Sequence, residues 1–320
     1  MIRRRIGRNG RTVNAIGLGC MGMSAFYGKP IADADGVTLL HAALDRGVDH
    51  FDTAELYGNG ANERILGRAF ADRRDRVFIA TKFGFRLDPA TGAVQGMDGS
   101  EANCRRALEQ SLRLLRTDRI DLFYLHRKDP AIEIEETVGA MARLVQEGKV
   151  LEIGLSEVDA DTLRRACSVH PIAALQTEYS LFTREVEAEI LPACRELGVS
   201  FVAYSPLGRG LLTGAMNEDR NFDPTDFRAR GSTRFRGEAF AANLALVGEI
   251  EAIAATKGGS VGQIALAWVL GRGEDVHIIP GTTRLANLEN NLGAEGVSLS
   301  RAEAERLETL AARVQGARYG

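Results

Sequence analysis

Four side chains able to handle protons stand at or just beyond short apolar runs. Asp52 and Tyr57 lie in Phe51-Asp-Thr-Ala-Glu-Leu-Tyr57-Gly58, Lys82 closes Val77-Phe-Ile-Ala-Thr-Lys82, and His126 follows Ile120-Asp-Leu-Phe-Tyr-Leu125. Together they suit proton delivery to a carbonyl oxygen. A phenol with an ordinary pKa of ~10 is a sluggish acid near neutrality. An ammonium beside it favours the phenolate, so Lys82 is expected to lower the Tyr57 pKa, and a carboxylate keeps that lysine charged and oriented. A histidine can hold the substrate oxygen by a hydrogen bond. Singly, each has a plainer use: Asp52 as a cap, Lys82 as a solvated charge, Tyr57 as a packing aromatic, His126 as a core histidine. All four at strand ends is what unrelated structural roles rarely produce. The remaining histidines, His41, His50, His170 and His277, show no metal-ligand spacing, so no metal site is expected.

Such side chains converge only if repeated strands deliver them to one place, and the chain alternates accordingly. Strands are expected at Ile16–Gly19, Val48–Asp52, Val77–Lys82, Ile120–Leu125, Val150–Leu155, Ala173–Gln176, Val199–Tyr204 and Val276–Ile279. Helices are expected near Asp33 and at 62–70, 101–116, 133–147, 160–168, 185–197, 240–256, 261–270, 286–292 and 301–314. In the helix from Glu101, Cys104, Leu108, Leu112 and Leu115 recur at helical spacing and give one apolar stripe. Repeated βα units need parallel strands and right-handed crossovers, and eight of them favour closure into a (β/α)₈ barrel. An N-terminal hairpin around Asn9-Gly10 precedes it and extra C-terminal helices follow, with residues 1–320 as a single domain. In such a barrel, function sits at the C-terminal ends of the strands, where all four residues fall. The stretch Gly208–Gly237 is long and rich in arginine, the usual mark of a lid or a disordered segment.

Composition excludes several classes. The chain is 45% hydrophobic and 26% charged with net charge −3, so nothing argues for nucleic acid or an anionic membrane as partner. No run reaches the ~18 uninterrupted apolar residues of a membrane span. Met1-Ile-Arg-Arg-Arg is followed by polar turn residues rather than the apolar region of an export signal. Cys20, Cys104, Cys167 and Cys194 are scattered, which reads as reduced thiols and a cytoplasmic protein. Gly17-Leu-Gly19-Cys-Met-Gly22 matches G-x-G-x-x-G but runs into an irregular, proline-containing stretch. It is better read as a strand end where backbone approaches a ligand or neighbour closely.

The residues around the tetrad resemble the aldo-keto reductase superfamily. The likeness is carried by 51–58 with Asn62-Glu63, by Ile79-Ala-Thr-Lys82, Tyr124-Leu-His126-Arg, Gly154-Leu-Ser156-Glu and Leu175-Gln176-Thr-Glu-Tyr. Ala203-Tyr204-Ser-Pro-Leu-Gly-Arg-Gly210 and Ile279-Pro-Gly281-Thr-Thr complete it, and bacterial and plant reductases of the pyridoxal- and perakine-reductase type are the most similar branch. The resemblance implies NADPH-dependent reduction of a small carbonyl compound, with NADPH/NADP+ as cofactor. It implies Tyr57 as general acid, Lys82 as its tuner, Asp52 as partner of Lys82, and His126 at the carbonyl. Tyr204 would stack on the nicotinamide while Ser156 and Gln176 bind its carboxamide. Gly19 would approach the cofactor; Ser205, Leu207, Gly208 and Gly210 would line the pyrophosphate. Gly281, Thr283, Arg284 and Asn287 would meet the adenosine phosphate, and Asn290 and Asn291 the adenine. Asn290 departs from the glutamate usual in the family, and Glu157 from its asparagine or arginine. Channel β-subunits use the same fold to bind partners, but the complete tetrad here favours catalysis. Phe26, Tyr27, Phe83 and Phe85 are candidate walls of a substrate pocket, and Arg86 or Arg127 candidate partners of an acidic substrate. The chain stops soon after its last helix, so no long C-terminal loop is expected over the pocket. Nothing in the sequence specifies an oligomeric state.

Overall fold

Side chains alternate across a strand, so residues of one parity share a face. In the strand Phe78–Phe83, Phe78, Ala80 and Lys82 share one face, while Ile79, Thr81 and Phe83 share the other. Phe78 and Ala80 join Leu122, Tyr124, Ala174, Val202 and Ile279 in a small inner core; Ile79 and Phe83 belong to a much larger outer one. Two apolar faces on every strand are what a closed barrel jacketed by helices requires.

A computed structural model describes every residue except Asn9, Pro89 and Gly320. Its strands are β1 Arg3–Arg5, β2 Thr12–Asn14, β3 Leu18–Gly19, β4 His50–Asp52, β5 Phe78–Phe83, β6 Phe85–Leu87, β7 Val94–Met97, β8 Ile120–Leu125, β9 Val150–Ser156, β10 Ala174–Glu178, β11 Ser200–Tyr204 and β12 Val276–Ile279. Its helices are α1 Asp33–Asp45, α2 Ala61–Phe70, α3 Glu101–Leu115, α4 Ile134–Gln146, α5 Ala160–Val169, α6 Ile190–Leu197, α7 Phe227–Arg230, α8 Gly237–Lys257, α9 Val261–Leu270, α10 Leu285–Leu292 and α11 Arg301–Glu308. Eight parallel strands pair in the order β12-β11-β10-β9-β8-β5-β4-β3. The seam closes where Gly17 N–H donates to Ile278 O (2.8 Å) and Ile278 N–H to Ala15 O (2.9 Å). The fold is the expected (β/α)₈ barrel. At the seam a Cβ on Gly19 would sit 2.7 Å from Ile279 O, so close backbone approach explains this glycine without a ligand.

The β1–β2 hairpin forms as expected, although Asn9 of its turn lies outside the described residues. Ile6 and Val13 from the hairpin join the inner core and close the end of the barrel opposite the candidate site. Three expectations need correction. The helix expected over 185–197 is a short 3₁₀ turn at Glu185–Glu187 followed by α6. Starting at Ile190 places Pro192 in the first turn, where its missing N–H costs nothing. The last helix stops at Glu308, with a 3₁₀ turn at Ala311–Arg313. Residues 208–237 carry short helical segments, including α7. Helix α8, though interrupted by Glu238, Glu249 and Glu251, is long and apolar enough on average to cross a membrane, with mean hydropathy 1.4. Instead it packs Phe240, Leu246, Val247, Ile250 and Ile253 into the outer core. The hairpin β6–β7 beside the barrel mouth was not anticipated.

Candidate active site

Parity carries the argument upward. Asp52 ends β4, Lys82 shares the face of Phe78 and Ala80, and His126 continues the face of Leu122 and Tyr124. Ser156 and Tyr204 end β9 and β11 on the same face, and Gln176, in the middle of β10, pairs with Ser156 in register. Tyr57 comes from the loop after β4, which is fastened at several points. Its Thr53 and Glu55 N–H groups donate to Ala80 O (2.8 Å) and Lys82 O (3.2 Å). Buried Asn62 donates to Cys20 O (2.9 Å) and Ser24 Oγ (2.8 Å) and accepts from Thr53 Oγ1 (2.7 Å). Glu63 accepts from Thr81 Oγ1 at 2.7 Å. The Asn62-Glu63 pair is thus part of the frame that holds Tyr57.

The tetrad is assembled. Lys82 Nζ is wholly buried, forms a short ion pair with Asp52 Oδ1, donates to Thr53 O (2.8 Å) and reaches Tyr57 Oη at 3.4 Å. His126 packs edge-on against Tyr57, with ring centroids 5.8 Å apart. Burial works against the Lys82 charge, but Asp52 and then Tyr57 outweigh it and hold the ammonium above its usual pKa. His126 is pushed well down, first by burial and then by Lys82 and Arg127, so its imidazole is neutral. Tyr57 corrects the expectation: burial raises the phenol, and Lys82 only partly pulls it back. A dry site penalises the phenolate more than one ammonium at 3.4 Å rewards it.

Around the tetrad, Gln176 Nε2 donates to Asp52 Oδ2 (2.7 Å) and Arg127 Nη1 to Ser156 Oγ (3.1 Å). Half-buried Arg127 therefore belongs to the site, whereas Arg86 lies on the β6–β7 hairpin and bonds Gln95 O. Phe26 and Phe85 edge onto Tyr57 and His126 respectively. Phe83 is no pocket wall; it is buried and stacks on Phe123. Tyr27 lies under the Arg228 guanidinium.

Beyond β11 the backbone turns left-handed at Ser205, Gly208, Arg209 and Gly210 (φ +48° to +96°) and curls into a concave loop. The Leu207 side chain enters the outer core, so only its backbone is free to meet a ligand. After β12, Gly281 bridges Gly19, and Thr282 Oγ1 accepts from Arg284 N–H at 3.1 Å, a local turn that leads into α10. Thr283, Arg284 and Asn287 are exposed around the first turn of α10, Asn290 is half-buried, and Asn291 is buried. Among the described residues the Arg284 guanidinium makes no hydrogen bond or ion pair, and this unpaired cation at a helix start fits a dinucleotide phosphate.

Several residues escaped the sequence reading. Arg318 and Tyr319 return to the barrel mouth, contrary to the expectation of an uncovered pocket. Arg318 donates to Glu157 Oε1 (2.6 Å), Glu178 Oε2 (3.0 Å) and Tyr204 Oη (2.8 Å). Tyr319 Oη lies 2.7 Å from Tyr204 Oη, and Arg209 bonds Glu178 at 2.9 Å. Spacing gave no signal for pairs so far apart along the chain.

An eight-stranded parallel barrel with an acid–base cluster at its strand ends defines a (β/α)₈ enzyme scaffold. Residues 15–312 match the model of the Aldo/keto reductase family, and the chain belongs to that family. It is 44% identical to a probable aldo-keto reductase 1 of Glycine max, over 92% of this chain and 85% of that one. It is also 44% identical to the aldo-keto reductase yakc [NADP(+)] of Schizosaccharomyces pombe, over 99% and 94% of the two chains. The glycerol dehydrogenase AKR11B4 of Gluconobacter oxydans superposes with TM-score 0.89 at 33% identity, covering 98% of this chain and 96% of its own.

Proposed function

We propose that this chain reduces aldehydes or ketones to alcohols with NADPH, and that Tyr57 delivers the proton. As an aldo/keto reductase it is an NADP-dependent oxidoreductase acting on carbonyl compounds. The observation that carries the residue roles is the buried relay in which Asp52 holds Lys82 and Lys82 reaches Tyr57 Oη at 3.4 Å. The bound dinucleotide supplies the hydride. Tyr57 gives its proton to the carbonyl oxygen as negative charge develops there. Lys82 stabilises the phenolate left behind, and Asp52 fixes Lys82 in place. Neutral His126 has an N–H to orient the same oxygen.

The remaining side chains suit cofactor binding. Gln176 donates to Asp52, which leaves Oε1 to accept from a carboxamide NH₂. Ser156 accepts from Arg127, which leaves its hydroxyl hydrogen for the carboxamide oxygen. Tyr204 would support the nicotinamide ring, with Gly19 at the seam beside it. The backbone of Ser205, Leu207, Gly208 and Gly210 would hold the pyrophosphate. Gly281, Thr283, Arg284 and Asn287 would take the adenosine phosphate, and Asn290 and Asn291 the adenine. Exposed Phe26 and Met97 with Phe85 give the mouth an apolar character suited to an uncharged small carbonyl substrate. The whole chain would act as one domain, and four free cysteines fit a reducing compartment such as the cytoplasm. Tyr57→Phe keeps the ring and removes the proton. Turnover of an aldehyde panel, followed by loss of reduced-nicotinamide absorbance, should fall by ~10²–10⁴. NADPH affinity should be nearly unchanged. Near-normal turnover with chemistry rate-limiting would refute the assignment of Tyr57.

A further inference from the structure

Residues 315–319 form a fastened strap rather than a loose end. Gln315 N–H donates to Asn243 Oδ1 and Asn243 Nδ2 returns a bond to Gln315 O, both at 2.9 Å. Ala317 N–H donates to Thr233 Oγ1 (2.7 Å), and Ser232 Oγ to Ala317 O (2.9 Å). These bonds carry Arg318 into a group of two carboxylates and two guanidinium ions. Glu178 is almost wholly buried and accepts from both Arg209 and Arg318, while Glu157 accepts from Arg318. The formal charge of the four groups is zero. Glu157 reaches this cluster from a left-handed backbone position (φ +55°), where a non-glycine residue is strained.

The cluster abuts Tyr204, the residue assigned above to support the nicotinamide, and Arg318 bonds its hydroxyl directly. A nicotinamide ring is neutral when reduced and cationic when oxidised. Net charge beside it therefore acts on one form only. We propose that Arg318 is a positioning and charge-balancing residue of the nicotinamide site, setting the relative affinity for NADPH and NADP+ by neutralising Glu157 and Glu178 behind Tyr204. Its loss makes the surroundings of Tyr204, to which Arg234 also contributes a cation, one unit more negative, which favours the cationic ring. Loss of Glu157 makes them one unit more positive, which disfavours that ring.

The inference rests on the cofactor assignment made above, and titration calorimetry of the full-length protein at mildly alkaline pH tests the two separately. Binding of NADPH and NADP+ to the wild type tests the cofactor reading. If neither binds, that reading falls and the inference with it. The ratio Kd(NADP+)/Kd(NADPH) tests the inference. Arg318→Gln should lower the ratio about threefold to tenfold, and Glu157→Gln should raise it by a similar factor, as one unit charge at intermediate dielectric allows. The double variant should return to within about twofold of the wild-type ratio. Loosening of the strap alone would weaken both forms by a common factor in both single variants, and that result overturns the proposal. Shifts in the same direction would overturn it too. Should Arg318→Gln fail to fold, Glu157→Gln decides alone: an unchanged or lowered ratio refutes the charge argument.

Discussion

Lys82 has two duties that pull on different observables. Its charge partly offsets the burial that raises the Tyr57 phenol, and it neutralises the buried Asp52 carboxylate. Lys82→Met keeps roughly the stem volume and removes both effects. With the ammonium gone, the phenol becomes a weaker acid, so turnover near neutrality should fall at least ~10²-fold and the alkaline limb of the pH–rate profile should move upward. The stranded carboxylate should also cost about 3–5 kcal/mol of stability, the usual penalty for breaking a buried pair. An unchanged pH–rate profile in a folded Lys82→Met protein would contradict the coupling. At this scale the tetrad was readable because each member ends, or lies in the loop just after, a run that advertises a buried strand. The Glu157–Glu178–Arg318 cluster was not. Its partners lie 140 and 161 residues apart, and each is an ordinary charged residue in its own neighbourhood.

Elements were legible where one periodicity ran uninterrupted. Strands β8 and β12 and helix α9 have the expected bounds, since each is an apolar run closed by turn residues. Helix α9 also starts with a full capping box between Ser260 and Gln263, in which two otherwise unpaired N–H groups are satisfied reciprocally. Where propensity and geometry conflicted, geometry won, as at Pro192, which sits in the first turn of α6. The β6–β7 hairpin was missed because its strands are short and exposed, with no buried face to pattern. Helix α10 carries the prediction at this level. Its first turn presents free N–H groups and the positive end of the helix dipole, and Arg284 stands there unpaired. The 2′-phosphate of NADPH can accept from that planar fork, whereas NADH offers nothing to it. A charge-assisted hydrogen bond of ~1.5–3 kcal/mol corresponds to roughly tenfold to a hundredfold in affinity. Arg284→Ala should therefore lose that factor in kcat/KM with NADPH and keep its efficiency with NADH. Equal loss with both would leave Arg284 only a structural role.

The molecule as a whole divides its barrel interior between an upper charged site and a lower sealed floor, and the floor holds two histidines. His50 and His277 are fully buried, 6.2 Å apart between ring centroids, and both His50 nitrogens lack partners among the described residues. The β1–β2 hairpin keeps them from water, with Arg5 O accepting from His277 Nε2 at 3.2 Å. Burial pushes His50 down to about 3 from the usual 6.5, with His277 and Lys82 adding to it. His277 falls to about 4, again chiefly through burial. The unfolded chain therefore binds protons below pH 6.5 that the native barrel refuses, and acid favours unfolding. Each histidine contributes a loss of about 1.4 kcal/mol per pH unit from near 6.5 down to its own folded value. Glu63 acts in the opposite sense between 4.5 and about 7, because burial raises its carboxyl and stability is lost there as pH rises. The wild-type curve mixes these slopes, so the informative quantity is a difference between proteins. His50→Leu removes one titrating group and no hydrogen bond. Urea unfolding of wild type and variant at pH 7, 6 and 5 should give stabilities whose difference changes toward acid, by about half of 1.4 kcal/mol from pH 7 to 6 and by nearly the whole of it from 6 to 5. Parallel curves would mean that His50 takes up its proton in the folded barrel, which requires water to reach a floor the hairpin seals.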